Sequence, residues 1–115
     1  MRVVRVYSGP DGRSHFEETT VPLDRRSPHH GSFSLELPHD AEIAVGTSFA
    51  LEFHNAPGRM YYILLGGAID VVSTTGESRS VRAGDLLLLE DTVGEGHIFR
   101  LVDGDRWTAL LYHLE

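Results

Sequence analysis

The 115-residue sequence contains no cysteine, which excludes disulfide bonds, thiolate metal sites and cysteine nucleophiles. It also lacks any apolar run near the roughly 18 residues that a membrane-spanning helix needs. The first seven residues carry arginines between their valines, whereas a signal peptide contains a continuous apolar block. A cytoplasmic protein without a membrane partner is therefore the expectation.

An excess of basic charge is missing as well. Asp and Glu number 17 against 10 Lys and Arg, and the formal net charge is −7. A surface of this sign repels phosphate backbones, so the sequence lacks the electrostatic signature of a nucleic-acid-binding protein. Nucleic acid is therefore not an expected partner.

Helical periodicity is missing too, since no stretch repeats apolar residues every 3.6 positions and no internal repeat stands out. Apolar runs instead alternate with glycine and proline turns, which predicts many short strands in one all-β domain of barrel or sandwich type. Asp103-Gly104-Asp105 is typical of a hairpin turn. A short alternation over 33–37 indicates a further strand inside a loop-like stretch. The other predicted strands cover residues 2–7, 14–21, 47–54, 60–65, 68–73, 78–82, 86–89, 97–102 and 106–113.

Two histidines, His54 and His97, stand at the ends of predicted strands, where a β-fold can bring distant residues together. Glu52 lies two residues before His54 and shares its face of an extended strand. Its carboxylate could accept a hydrogen bond from His54, which would orient the ring for acid–base chemistry. Alternatively, Glu52, His54 and His97 could form the two-histidine, one-carboxylate set of an open transition-metal site.

Two short motifs occur in a fixed order between residues 45 and 113. The first, within residues 54–67, reads His-x-x-Pro and then a strand that closes on Leu-Leu-Gly-Gly. The second, within residues 83–97, reads Ala-Gly-Asp, an apolar strand and Gly-x-Gly-His. This pattern resembles the cupin superfamily, and the run Glu-Asp-Thr-x-Gly-x-Gly-His at its end is similar to a subgroup of small bacterial cupins.

The resemblance implies a single cupin domain over residues 1–115, folded as an antiparallel, jelly-roll-like cupin-type β-barrel. An N-terminal strand or arm would cover 1–45, and the motif-bearing barrel core would cover 46–113, with a site in the barrel mouth. A homodimer is the expected assembly, because cupins commonly pair through strands. In addition, Val3–Tyr7 would be an exposed edge if nothing covered it.

The resemblance also bears on metal binding. Metal-binding cupins typically supply two histidines and a glutamate from the first motif and one histidine from the second. His54 and His97 occupy two of these places, whereas Ala56 and Met60 stand at the other two and supply neither a nitrogen nor a hard oxygen ligand. No cofactor is therefore expected. A divalent transition metal, if one is bound, is assigned to Glu52, His54 and His97.

These features predict a small-molecule cupin of bacterial metabolism, specifically an acid–base enzyme of isomerase, cyclase or dehydratase type acting on a small polar or aromatic metabolite. The alternatives are a non-catalytic ligand-binding cupin and a metal-dependent oxygenase with a reduced ligand set. The predicted catalytic residues are Glu52, His54 and His97. The predicted substrate-binding residues are Arg59, Met60, Tyr62, Leu64 and Phe99. His15 and Trp107 are interpreted as structural.

Overall fold

The computed structural model of the protein describes residues 2–20, 25–26, 33–34, 40–46 and 52–114. Within these ranges all regular secondary structure is β-strand, so the prediction of an all-β fold is confirmed. The described part of the chain accordingly has no helix that is long and apolar enough to cross a membrane.

Nine strands are present in the described ranges. Most follow apolar or β-branched runs that end at glycine turns, as the sequence pattern predicts. The strands are β1 (Arg2–Ser8), β2 (Ser14–Thr20), β3 (Arg25–Arg26), β4 (Phe33–Ser34), β5 (Ala41–Gly46), β6 (Met60–Ser73), β7 (Ser78–Arg82), β8 (Leu86–Glu90) and β9 (His97–His113).

Seven of these strands form one sheet with the order β2-β1-β8-β6-β9-β5, and β7 pairs with β6 beside this path. The remaining two, β3 and β4, pair with each other. The sheet is mixed, because β1 runs parallel to β8, and the expectation of a purely antiparallel sheet is wrong at this position. A parallel neighbour is allowed here because β1 and β8 lie far apart in sequence and no tight turn joins them.

Val3–Tyr7 would be an exposed edge only if nothing covered it, and in the structure both of its sides are paired. β1 lies inside the sheet, with β2 on one side and β8 on the other. The argument from an open edge therefore does not support a dimer, and the homodimer stays a prediction.

The two longest strands, β6 and β9, pair along almost their whole length. Asp103-Gly104-Asp105, predicted as a turn, continues β9 instead. The register between β6 and β9 is irregular here, since Gly66 pairs with Thr108 and Ala68 with Asp103. Gly67 alone therefore lies opposite residues 104–107, an arrangement that bends paired strands. The φ of Gly67 is +78°, which suits glycine at such a bend.

The bend brings the two halves of the β6–β9 pair toward each other around the core. Tyr62 lies near the start of β6 and pairs with the end of β9, whereas Phe99 lies near the start of β9 and pairs with the end of β6. The two rings are nevertheless in contact. Leu87 and Leu89 of β8 belong to the same core cluster, as a buried leucine strand predicts. One face of the sheet thus encloses a largely apolar interior.

Three predicted strands fall partly outside the described residues. The prediction at 14–21 includes residue 21, which lies outside them. For the prediction at 47–54, residues 47–51 lie outside them, and the described remainder forms no strand beyond an isolated bridge at His54. For the prediction at 33–37, β4 is present and residues 35–37 lie outside the described ranges.

Candidate functional site

A cavity of about 240 Å³ opens where the segment before β6 meets the start of β9. Its wall is mainly apolar and aromatic, and two histidines and an asparagine supply polar groups. The lining residues are Gly46, His54, Asn55, Ala56, Pro57, Met60, Tyr62, Leu89, His97, Phe99 and Trp107.

The structure brings His54 and His97 together at this cavity. Their main chains form a two-way bridge, with the His54 N–H donating to the His97 carbonyl at 3.0 Å and the His97 N–H to the His54 carbonyl at 2.9 Å. The centroids of the two imidazole rings are 4.8 Å apart. Two residues that are distant in the sequence therefore present neighbouring rings to one cavity.

Glycine at position 96 permits this bridge. Gly96 has φ +84°, a conformation that side chains with a Cβ adopt only with strain. A Cβ at this position would also overlap the carbonyl of His54. The Gly-x-Gly-His motif is thus a packing requirement of the site, because the main chain of His54 lies directly against Gly96.

His97 is held by a buried carboxylate. Its Nδ1 lies 2.6 Å from Oδ2 of Asp91, and the two residues are 1% and 0% exposed. An ionised carboxylate only accepts hydrogen bonds, so Nδ1 carries the proton and Nε2 is the ring nitrogen left for a ligand. The other oxygen of Asp91, Oδ1, has no hydrogen-bond partner among the described residues.

The main chain of Asp91 is anchored as well. Its carbonyl accepts hydrogen bonds from the Asn55 side chain and from the Ala56 N–H, both at 3.2 Å. Asn55 also donates to the carbonyl of Gly94 at 3.1 Å. The segment that carries His54 is therefore tied to the loop that precedes His97 at several points.

His54 is oriented by Glu52, but through a different atom from the one predicted. His54 Nδ1 donates to the main-chain carbonyl of Glu52 at 3.1 Å, whereas an extended strand would place the carboxylate beside the ring. The chain bends at Glu52, and this bend turns its carbonyl toward His54. Because a carbonyl can only accept, Nε2 is the available nitrogen of this ring too.

Three aromatic rings form one wall of the cavity. The centroid of Tyr62 lies 5.5 Å from that of Phe99 and 5.7 Å from that of Trp107, and the Phe99 and Trp107 centroids are 6.2 Å apart. A Cβ at Gly46 would overlap the indole of Trp107, so glycine there lets the indole lie across β5. Burial raises the pKa of the Tyr62 hydroxyl, and the negative charge of Glu42 raises it further. Tyr62 is thus a neutral hydrogen-bond donor at physiological pH.

The predicted substrate-binding residues divide into two groups. Met60, Tyr62 and Phe99 line the cavity, whereas Leu64 is 2% exposed and belongs to the core cluster. Arg59 is outside the lining and donates from Nε to Oε2 of Glu90 at 2.6 Å.

Sequence reasoning missed two residues of the site, Trp107 and Asp91. Trp107 follows Arg106 in an ordinary strand pattern, and no local signal places it beside the histidines. Asp91 does have a signal, because it lies in the acidic run that precedes Gly-x-Gly-His. A carboxylate six residues before a candidate histidine is a partner worth testing in any similar sequence.

The residues present do not fit the metal site of the resembling family. Ala56 and Met60 line the cavity at two of the four ligand positions, and neither supplies a nitrogen or hard oxygen ligand. Among the described residues no group of three or more His, Asp or Glu side chains is arranged to hold a metal ion.

Glu90, next to Asp91 in sequence, joins three segments on the outside of the cavity wall. It accepts from Arg5 at 2.5 Å and from Arg59 at 2.6 Å. Burial works against its charge, but the hydrogen bonds and charges of these two arginines hold its pKa below the ordinary value. The side chain of Glu90 is only 15% exposed, so its ion pairs are less screened than surface pairs.

Replacing Glu90 with glutamine is expected to lower the free energy of unfolding by about 1–2 kcal/mol at neutral pH, because two charge-assisted hydrogen bonds are weakened. A lowered folded-state pKa stabilises the protein above the ordinary value of 4.5. The difference between wild type and variant should therefore shrink as the pH falls below 4.5 and through the folded-state pKa. Urea unfolding at several pH values measures this. The control is Glu77→Gln, because the side chain of Glu77 is 60% exposed and its ion pair with Arg79 is screened by solvent; equal losses in both variants would contradict the prediction.

Comparison of the sequence with protein-family models finds none that matches, and comparison with curated proteins also finds no match.

Proposed function

We propose that this chain is a small cupin-type protein that binds a small molecule in the cavity and moves a proton on it with His97 and His54. The observation that carries the proposal is the pair of adjacent imidazoles, each with Nδ1 anchored and Nε2 left for a ligand. The cupin-type barrel itself is part of the proposal and is supported by the order of the two sequence motifs.

The chemistry requires one base and one acid. His97 Nε2 takes a proton from the bound molecule, and the imidazolium formed is stabilised by the carboxylate of Asp91 on its Nδ1–H. His54, 4.8 Å away between ring centroids, is the acid: in its imidazolium form it gives the Nε2 proton to a different atom of the same molecule, while its Nδ1–H stays on the Glu52 carbonyl. Tyr62 donates a hydrogen bond to an oxygen or nitrogen of the ligand. Isomerisation needs only these two proton transfers. Cyclisation adds the formation of one ring bond, and dehydration adds the breaking of a C–O bond, with the acid's proton leaving in the released water; none of the three needs an oxidant.

Hydrogen exchange tests the proposal at the removal of a proton from carbon, without knowledge of the final product. Trp107 is the only tryptophan of the chain and lines the cavity, so a change in its fluorescence identifies molecules that bind there. Those that bind are then incubated with the protein in D₂O, and proton NMR follows the loss of carbon-bound hydrogen. We expect at least one bound molecule to exchange, and His97→Ala to slow the exchange by about 100-fold or more.

The matched control is His15→Ala. His15 also pairs with an aspartate, Asp11 at 2.9 Å, but it is outside the cavity lining, so its loss should leave exchange unchanged. Molecules that bind without any exchange would favour the second candidate, a binding module. The mainly apolar wall suits that role as well. Exchange that survives both His97→Ala and His54→Ala would overturn the assignment of the histidines.

A further inference from the structure

We propose that the ligand of this cavity is a small organic amine that binds as an ammonium cation. Its charged head would lie at the two imidazoles and its apolar body against the aromatic wall. The inference rests on the proposed function only for the cavity and its two histidines.

The hydrogen-bonding capacity of the histidines is the first argument. With Nδ1 of His54 bonded to a carbonyl and Nδ1 of His97 to a carboxylate, the two rings in their neutral form offer two acceptors and no donor to the cavity. A head group with several N–H donors complements two neighbouring acceptors. An ammonium group has three donors, whereas a hydroxyl group has one and a carboxylate has none.

The aromatic wall is the second argument. Tyr62, Phe99 and Trp107 contact one another at ring-plane angles of 53° to 84°, so their faces point in several directions around one corner of the cavity. Aromatic faces attract cations through the ring quadrupole, and tryptophan does so most strongly. The same faces provide apolar surface for the carbon skeleton of the ligand.

The distribution of charge is the third argument. All ten basic residues of the chain are arginines, and it contains no lysine. None of the described residues that line the cavity is an arginine. Arg59, just before β6, is engaged with Glu90. Negative charge is nearby, because Glu42 acts on Tyr62 and the buried Asp91 lies behind His97. An anionic ligand finds no fixed positive partner among these residues. A cation is favoured by Asp91 and more weakly by Glu42, which is exposed and lies 3.0 Å from His113.

The volume limits the size of the amine. At about 30 Å³ per water molecule, 240 Å³ corresponds to roughly eight waters. The part of the ligand inside the cavity is therefore about the size of one ring or a short alkyl chain, and the cavity opens to solvent beyond it.

Three probes of the same shape test the charge preference: benzylamine, benzyl alcohol and benzoate. They are titrated against the full chain at about pH 8, where an ordinary imidazole is neutral and an alkylamine is still charged. The readout is Trp107 fluorescence. We expect benzylamine to bind about tenfold more tightly than benzyl alcohol, and benzoate to bind most weakly.

Two variants identify the source of the preference. Phe99→Leu removes one aromatic face with little loss of volume and should weaken benzylamine more than benzyl alcohol. Glu42→Gln removes a nearby negative charge and should weaken only benzylamine. The side chain of Glu42 is 58% exposed, so this variant is expected to fold normally.

Benzyl alcohol or benzoate binding as tightly as benzylamine would overturn the amine proposal and leave the proposed function standing. No response to benzylamine at its highest soluble concentration would also overturn it. If benzylamine binds with unchanged affinity to both His54→Ala and His97→Ala, the histidines do not hold the head group. That result would overturn the ammonium assignment, whereas the exchange experiment in D₂O independently decides the proton-transfer function.

Discussion

Gly96→Ala is expected to be the most destabilising single-methyl change in the site, lowering the free energy of unfolding by about 2–5 kcal/mol, because two costs add. The first cost is conformational: a residue with a Cβ at φ +84° is destabilised by roughly 1–2 kcal/mol. The second is steric: the added methyl group overlaps the His54 carbonyl, and displacement of the neighbouring chain costs about 1–3 kcal/mol. Since that carbonyl accepts from the His97 N–H, the displacement should also separate the two imidazoles. Urea unfolding measures the loss, and fluorescence of Trp107 should show that ligand binding is lost under conditions where the variant is folded.

Gly76→Ala is the control that separates the two costs. Gly76 has a similar φ, +90°, but a Cβ there meets nothing within 4 Å. Its replacement should therefore cost only the conformational part, about 1–2 kcal/mol, and should leave the cavity intact. Equal losses for Gly76→Ala and Gly96→Ala would show that the close approach of His54 to Gly96 is not the cause.

Asp91→Ala is expected to cost about 3 kcal/mol and to change the chemistry of His97. The substitution removes the acceptor of the His97 Nδ1–H. His97 is only 1% exposed, so water does not replace the lost carboxylate, and a buried donor without a partner is costly. His97 can then move its proton from Nδ1 to Nε2, and the nitrogen that should accept a proton from the ligand becomes a donor. Long-range ¹H–¹⁵N NMR distinguishes the two tautomers. We expect Nδ1–H in the wild type and a substantial share of Nε2–H in the variant.

The exposed pair Asp11–His15 provides the comparison. Asp11→Ala removes the same kind of contact, 2.9 Å from carboxylate to ring nitrogen, but on the surface. It should leave the His97 tautomer and the ligand response unchanged and shift the unfolding midpoint little. A wild-type His97 that already carries its proton on Nε2 would contradict the role assigned to Asp91, as would an Asp91→Ala variant as stable as the wild type.

Much of the fold could be predicted from short-range pattern. The strand at 78–82 and the leucine strand beginning at residue 86 occur at the predicted positions, because a β-branched or apolar run between glycine turns has few other ways to satisfy its main chain. The wrong prediction at Asp103-Gly104-Asp105 has the opposite cause. These residues favour a turn locally, but they remain part of β9: Asp103 pairs with Ala68 of β6, and Gly104 and Asp105 lie in the irregularity opposite Gly67. The long antiparallel ladder on either side outweighs the local propensity.

The sequence by itself determined the all-β class, the positions of most strands and the two histidines most worth examining. All of these depend on residue type and on spacing along one segment. Only the tertiary structure decided that His54 faces the Glu52 carbonyl, that Asp91 holds His97, that Trp107 lines the cavity and that Arg59 does not. Each of these depends on where a bend or a strand pairing places atoms from distant segments. Such placements follow from the packing of the whole sheet, and the pattern of a single segment does not specify that packing.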